Sequence, residues 1–106
     1  MANVLINAPK TAKRGEVIEI KALILHPMET GFRPGTNGSI IARNIIERFT
    51  ATWNGDEIFR IDLSPAIAAN PFVSFFAVAT DSGTVGLRWS GDEGFQVEES
   101  IAITVE

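Results

Sequence analysis

Apolar and polar side chains alternate along most of this chain with the two-residue period that is typical of β-strands. Asn54-Gly55 separates two alternating segments and predicts a two-residue hairpin turn, since both residues tolerate positive φ. Glu99 interrupts the apolar face of the last segment, which indicates a bulge or bend there. The pattern predicts strands over 16–25, 45–53, 57–63, 72–80, 84–90 and 95–105, with an additional edge strand over 3–7.

About seven short strands separated by turns predict an all-β fold, an immunoglobulin-like antiparallel β-sandwich. The chain has 106 residues, so we expect one domain that spans residues 1–106. It has no cysteine and therefore lacks the Cys-Trp-Cys signature of antibody domains. The prediction concerns the general architecture alone.

The predicted strand over 72–80 departs from the alternation because both of its faces are apolar. A sandwich buries one face of each strand, and aromatic side chains left in water usually mark an interaction site. Two interpretations follow: a partner subunit covers the second face, or the loop over 26–43 or 62–71 folds across it. The residues of this second face are Phe72, Ser74, Phe76 and Val78.

The longest stretch without strand periodicity runs over residues 26–43, and loops of this length in compact domains are usually functional or disordered. Arginine binds carboxylates and oxyanions through a planar fork of donors. The two arginines of this stretch therefore either attract an anionic ligand or pair with neighbouring carboxylates such as Glu47. The candidate functional residues of this loop are His26, Met28, Glu29, Arg33 and Arg43.

His26 is the only histidine, and together with Met28 it forms a soft-ligand pair that suits copper. The alternative is a histidine at a strand end that is hydrogen-bonded into the loop. Without cysteine the chain can form no disulfide, thiolate metal site or thiol nucleophile. Asp92 and Glu93 lie in a predicted turn, where we expect them to be solvated. No catalytic set of side chains can be assigned, and no metal site or cofactor is predicted beyond the copper alternative.

The net charge of −4 argues against nucleic acid as a partner, because phosphates require clustered Lys and Arg. No apolar run approaches the roughly 20 residues that a membrane span needs. The first seven residues lack the basic region and apolar core of a secretory signal peptide.

Three segments together resemble the SoxZ family, the small subunit of the SoxYZ sulfur carrier in bacterial thiosulfate oxidation. They are residues 26–33, 68–72 and 101–106, and the similarity extends over nearly the whole chain. The similar segment that precedes the doubly apolar strand includes Asn70 and Pro71. The resemblance implies a non-catalytic β-sandwich whose partner, SoxY, presents a cysteine on a C-terminal arm that carries sulfur adducts.

The resemblance also implies a place in the cell and a set of contacts. The subunit is expected in the periplasm, exported as a folded complex on its partner's signal. Loop 26–43 is expected near the carrier arm or at a transient docking surface for the processing enzymes. When the partner is absent, the exposed apolar strand could pair with a second copy to form a homodimer.

Overall fold

The seven predicted segments and one unpredicted two-residue strand, Thr11–Ala12, form eight β-strands in the structure, a computed structural model that describes residues 3–106. The strands are β1 Val4–Asn7, β2 Thr11–Ala12, β3 Val17–Ile24, β4 Ile46–Trp53, β5 Asp56–Asp62, β6 Phe72–Val78, β7 Gly83–Gly91 and β8 Gln96–Val105. A 3₁₀ turn, Asp92–Gly94, joins the last two. In the described part of the chain, no helix has the length and apolar character needed to cross a bilayer.

The strands form two sheets that pack as a β-sandwich. One has three strands in the order β1-β3-β6, and the other has five in the order β2-β8-β7-β4-β5. Neighbouring strands are antiparallel except the short β2, which pairs in parallel with β8. The predicted all-β sandwich is confirmed, with this one short parallel pair as the departure from an antiparallel fold.

The core lies between the sheets and is built from the inward positions of each strand. Ile20, Phe49 and Trp89 are fully buried. The rings of Phe59 and Phe75 stack with centroids 4.8 Å apart and planes 5° apart, which links β5 of the larger sheet to β6 of the smaller one. Such aromatic pairs contribute about 0.5–1.5 kcal/mol beyond the area they bury.

The predicted hairpin turn is confirmed, because Asn54 and Gly55 join β4 to β5 with φ values of 51° and 89°. The bulge predicted near Glu99 is wrong. Pairing between β7 and β8 runs without a register shift, and Glu99 lies opposite Leu87 in the regular ladder. Glu99 is exposed, although its ladder partner Leu87 is buried.

The stretch that lacks strand periodicity forms a loosely paired hairpin, which we call the arm (residues 29–44). Isolated bridges pair Glu29 with Asn44 and Pro34 with Ile40. The molecule measures 58 × 22 × 19 Å, with a radius of gyration of 16.1 Å. A compact domain of this length has a radius of gyration near 13 Å. The molecule is therefore more elongated than a compact domain of this length.

Candidate functional site

Two segments that are distant in sequence meet where the arm begins. The backbone N–H of His26 donates to Asn70 Oδ1 at 2.9 Å, and the N–H of Asn70 donates back to the His26 carbonyl at 2.8 Å. Asn70 adopts a φ of 55°, a left-handed conformation that Asn tolerates better than most residues. Pro71 follows, and its carbonyl accepts the N–H of Ile24. The structure therefore joins the Asn70-Pro71 motif to the first residue of the candidate loop.

His26 and Met28 are both buried, and backbone N–H groups occupy one ring nitrogen of His26 and the sulfur of Met28. The Met28 N–H donates to His26 Nδ1 at 3.0 Å, and the Ile46 N–H donates to Met28 Sδ at 3.2 Å. Within residues 3–106, no group of three or more His, Cys, Asp or Glu side chains is placed to hold a metal ion. These contacts favour the hydrogen-bonded histidine over the copper site.

The surroundings of His26 disfavour its protonated form. Its ring packs edge-on against Phe95 with centroids 4.8 Å apart. Burial lowers the pKa of His26 below its usual value, and the Asn44 side chain and the Asp92 carboxylate offset this only in part. Asn44 Oδ1 is itself buried and accepts no hydrogen bond of ordinary geometry. His26 is therefore a neutral structural residue near neutral pH, with Nδ1 as an acceptor.

Both arginines of the candidate loop are paired with carboxylates of this chain. Arg33 forms a two-bond fork with Glu29 along one side of the arm. Arg43 forms a fork with Asp92 at 2.8 and 2.9 Å and approaches Glu47 at 3.4 Å. These hydrogen bonds lower the pKa values of Glu29 and Asp92 and raise those of the arginines. The structure thus favours ion pairing over an open anion site.

Asp92 corrects the expectation that carboxylates in this turn are solvated. Its side chain is mostly covered, and one oxygen also accepts the Ile45 N–H at 3.1 Å. Asp92 therefore ties the 3₁₀ turn to the end of the arm, across 49 residues of sequence from Arg43. No local pattern signals this role, because an acidic residue in a turn has the same sequence appearance whether or not it is paired.

The second face of β6 is open to solvent. Phe72, Phe76 and Val78 have 60%, 68% and 51% of their surfaces exposed, and Ser74 is exposed between them. The interpretation that a loop of this chain folds over this face is therefore wrong for the described residues. Leu5, on β1 at the opposite edge of the same sheet, is also largely exposed and was not singled out by the sequence.

Polar side chains occupy the middle of this sheet face. On β3, Glu19 and Lys21 lie beside Phe76 and Ser74 in the register. Ser74 Oγ donates to Glu19 Oε2 at 2.6 Å, and Lys21 Nζ lies 3.8 Å from Glu19. Exposed apolar side chains on this face form a row along β6, which we call the β6 row (Phe72, Phe76 and Val78), and they also include Val17 on β3 and Leu5 on β1.

Sequence reasoning also missed two apolar side chains on the arm. Phe32 is 83% exposed, and Ile40 is largely exposed on the returning side. Neither belongs to a periodic segment, so no alternation reveals which way it faces. The arm thus presents apolar groups to solvent beyond an ion-paired base.

The family model for "Sulphur oxidation protein SoxZ" matches residues 6–102 of the chain, which confirms the resemblance found in the sequence. No curated protein sequence is significantly similar to it.

Among solved structures, the chain is similar to a superoxide reductase (neelaredoxin) from Ignicoccus hospitalis, with a TM-score of 0.75 and 19% identity over 97% of this chain and 80% of that one. A putative superoxide reductase from Thermotoga maritima gives a TM-score of 0.67 and 21% identity over 97% and 85% of the two chains. The CARDB domain of a Pyrococcus furiosus protein gives a TM-score of 0.58 and 13% identity over 99% and 92%. At these identities the likeness concerns the fold alone.

Proposed function

This chain belongs to the SoxZ family of sulphur oxidation proteins, and on that premise we propose that it is the non-catalytic subunit of a heterodimeric sulfur carrier. Its partner is a SoxY-like subunit whose C-terminal arm carries the sulfur-binding cysteine. The carrier serves thiosulfate oxidation in the periplasm, where this subunit arrives together with its partner. A chain without cysteine cannot form the thiol adduct itself, which is consistent with this division of labour.

The observation that carries the proposal is the exposed β6 row. By their exposed fractions, its three side chains present about 300–350 Å² of mostly apolar surface. Covering that surface stabilises a complex by up to about 8 kcal/mol at 25 cal/mol per Å², before the cost of association. A soluble subunit that leaves two phenylalanines of a seven-residue strand in water is expected to cover them in its functional assembly.

We assign the arm of this chain (residues 29–44) a separate role, as a surface for transient docking of the processing enzymes. Its arginines are internally paired, so the exposed Phe32 and Ile40 are the groups it offers. Phe32 and Ile40 lie on the arm and the β6 row lies on the three-stranded sheet, so we assign enzyme docking and heterodimer formation to different surfaces.

The test compares two matched substitutions of exposed phenylalanines, Phe76→Asp and Phe32→Asp, in the chain co-expressed with a SoxY-like subunit. We expect the wild type and Phe32→Asp to co-purify one-to-one with the partner, with sulfur adducts only on the partner's cysteine. Phe76→Asp is expected to elute alone with an unchanged circular dichroism spectrum. Equal loss of the complex in both variants, or no complex with any SoxY-like subunit, would refute the proposal.

A further inference from the structure

Strand β6 has a neighbouring strand on one side only. Its ladder with β3 runs from Val17 opposite Val78 to Leu23 opposite Phe72 without a register shift. On its other side it pairs with no strand of residues 3–106. β6 is therefore an open edge of the three-stranded sheet.

The direction of each backbone group on β6 follows from the hydrogen bonds at its two ends. The N–H of Ala79 donates to the Glu16 carbonyl, and the Pro71 carbonyl accepts the N–H of Ile24, so residues 71 and 79 point toward β3. In an antiparallel pair, successive residues direct their N–H and C=O groups to alternate sides. Residues 73, 75 and 77 therefore also bond to β3, and residues 72, 74, 76 and 78 present theirs to the open edge.

The other sheet edges are protected in ways that β6 is not. β1 has four residues and β2 only two, and short edge strands offer little to a pairing chain. β5 carries Asp56, Glu57, Arg60 and Asp62. β6 runs for seven residues with no charge and no proline. Such an edge is a template for strand addition.

The side chains next to this edge are better placed to contact an added strand than to contact a sheet that packs flat on the outer face of the three-stranded sheet. The residues whose backbone groups are free also carry the β6 row, whereas the centre of the face holds Glu19 and Lys21. A cavity of about 450 Å³, whose lining includes Trp53, Ile58 and Phe76, opens beside β6 toward β5 and has room for incoming side chains.

The area available at the β6 row is too small to hold a stable complex by itself. Its roughly 300–350 Å² compares with about 800 Å² per partner in a standard interface. Backbone hydrogen bonds along the open edge supply affinity and register without requiring more apolar area. Membership of the SoxZ family implies a Sox partner, which we take as the occupant of this edge.

We propose that the SoxY-like partner adds an extended, apolar strand to the open edge of β6 and so continues the three-stranded sheet across the heterodimer. The added strand exchanges main-chain hydrogen bonds with residues 72, 74, 76 and 78. Its apolar side chains pack against Phe72, Phe76 and Val78. This inference rests on the proposed function and specifies how the two subunits join.

The test is a pair of substitutions at one position, Ser74→Pro and Ser74→Ala. Both remove the Ser74–Glu19 hydrogen bond, but only proline removes the N–H that faces the open edge. Proline is tolerated at edge positions whose N–H faces solvent, so both isolated variants are expected to stay folded. We expect Ser74→Pro to weaken binding of the SoxY-like subunit at least about tenfold relative to Ser74→Ala.

Amide hydrogen exchange of the wild type gives a second readout that does not depend on a variant folding. We expect the amides of Phe72, Ser74, Phe76 and Val78 to exchange rapidly in the isolated chain and to become protected in the heterodimer. The amides of residues 73, 75 and 77 are expected to be protected in both.

A complex that forms while the first four amides stay unprotected, with Ser74→Pro binding like Ser74→Ala, overturns strand addition but leaves the proposed function intact. Failure to form any complex refutes the proposed function instead. Protection in the isolated chain with a doubled mass that persists after the SoxY-like subunit is added identifies a second copy as the occupant, which also overturns this inference.

Discussion

The contact between Asn70 and His26 supports a stability prediction in which two causes can be separated. Asn70→Ala removes the oxygen that accepts the His26 N–H at 2.9 Å. Leaving that partly buried donor without a partner costs about 1–3 kcal/mol. Alanine must also adopt the φ of 55° at residue 70, which costs roughly 1–2 kcal/mol more. We therefore expect a total loss of about 2–5 kcal/mol of unfolding free energy.

Two further variants divide this total between the hydrogen bond and the backbone. Asn70→Asp keeps an acceptor oxygen and a residue that tolerates positive φ, so it should remain within about 1 kcal/mol of the wild type. Asn70→Gly removes the acceptor oxygen, but glycine adopts the positive φ of residue 70 without strain. We expect it to be more stable than Asn70→Ala by about 0.5–1 kcal/mol, even after its greater entropy in the unfolded chain is counted.

Urea unfolding followed by tryptophan fluorescence measures the series, with the midpoint and slope compared among the four proteins. The expected order of stability is Asn, Asp, Gly, Ala. An alanine variant at least as stable as the glycine variant would refute the backbone argument. An aspartate variant as unstable as the glycine variant would refute the hydrogen-bond argument.

Two other predictions concern the arm and its base. Burial lowers the pKa of His26 in the folded state, so below the unfolded pKa of about 6.5 the unfolded chain binds more protons, and stability should fall as the pH drops from 7 to 5. His26→Gln should flatten that slope in urea titrations, and an unchanged slope would contradict the assignment. Gly31→Ala should speed proteolysis of the arm, because Gly31 has a φ of 91° and an added Cβ would lie 3.0 Å from Arg43 Cβ. Gly38→Ala is the matched control, with a φ of 83° but no atom within 4 Å of its added Cβ, and equal cleavage rates would contradict the role of the contact.

The arm shows how an irregular sequence can still form an ordered hairpin. Its bridges are few, and its base is held by side chains: Arg43 with Asp92, and His26 with Asn70. Substitutions at the base are therefore expected to affect the arm as a whole. Substitutions at Phe32 change what the arm presents without changing how it is held.

The alternation of side chains by itself predicted seven of the eight strands, the Asn54-Gly55 turn and the sandwich architecture, but not the two-residue β2. Period two is a local property, because successive side chains of a strand point to opposite faces whatever lies beyond them. The apolar character of both faces of β6 was readable for the same reason.

Only the tertiary structure decided which apolar face stays open and which charges are paired. Sequence left open both a covering loop and a partner for Phe72 and Phe76, and the structure shows that no described loop covers them. Arg43 pairs with Asp92 across 49 residues of sequence, and His26 is hydrogen-bonded to Asn70 across 44. The open edge of β6 likewise depends on the order of strands in the sheet. Such contacts follow from how the sheets pair and close on each other, which no local period encodes.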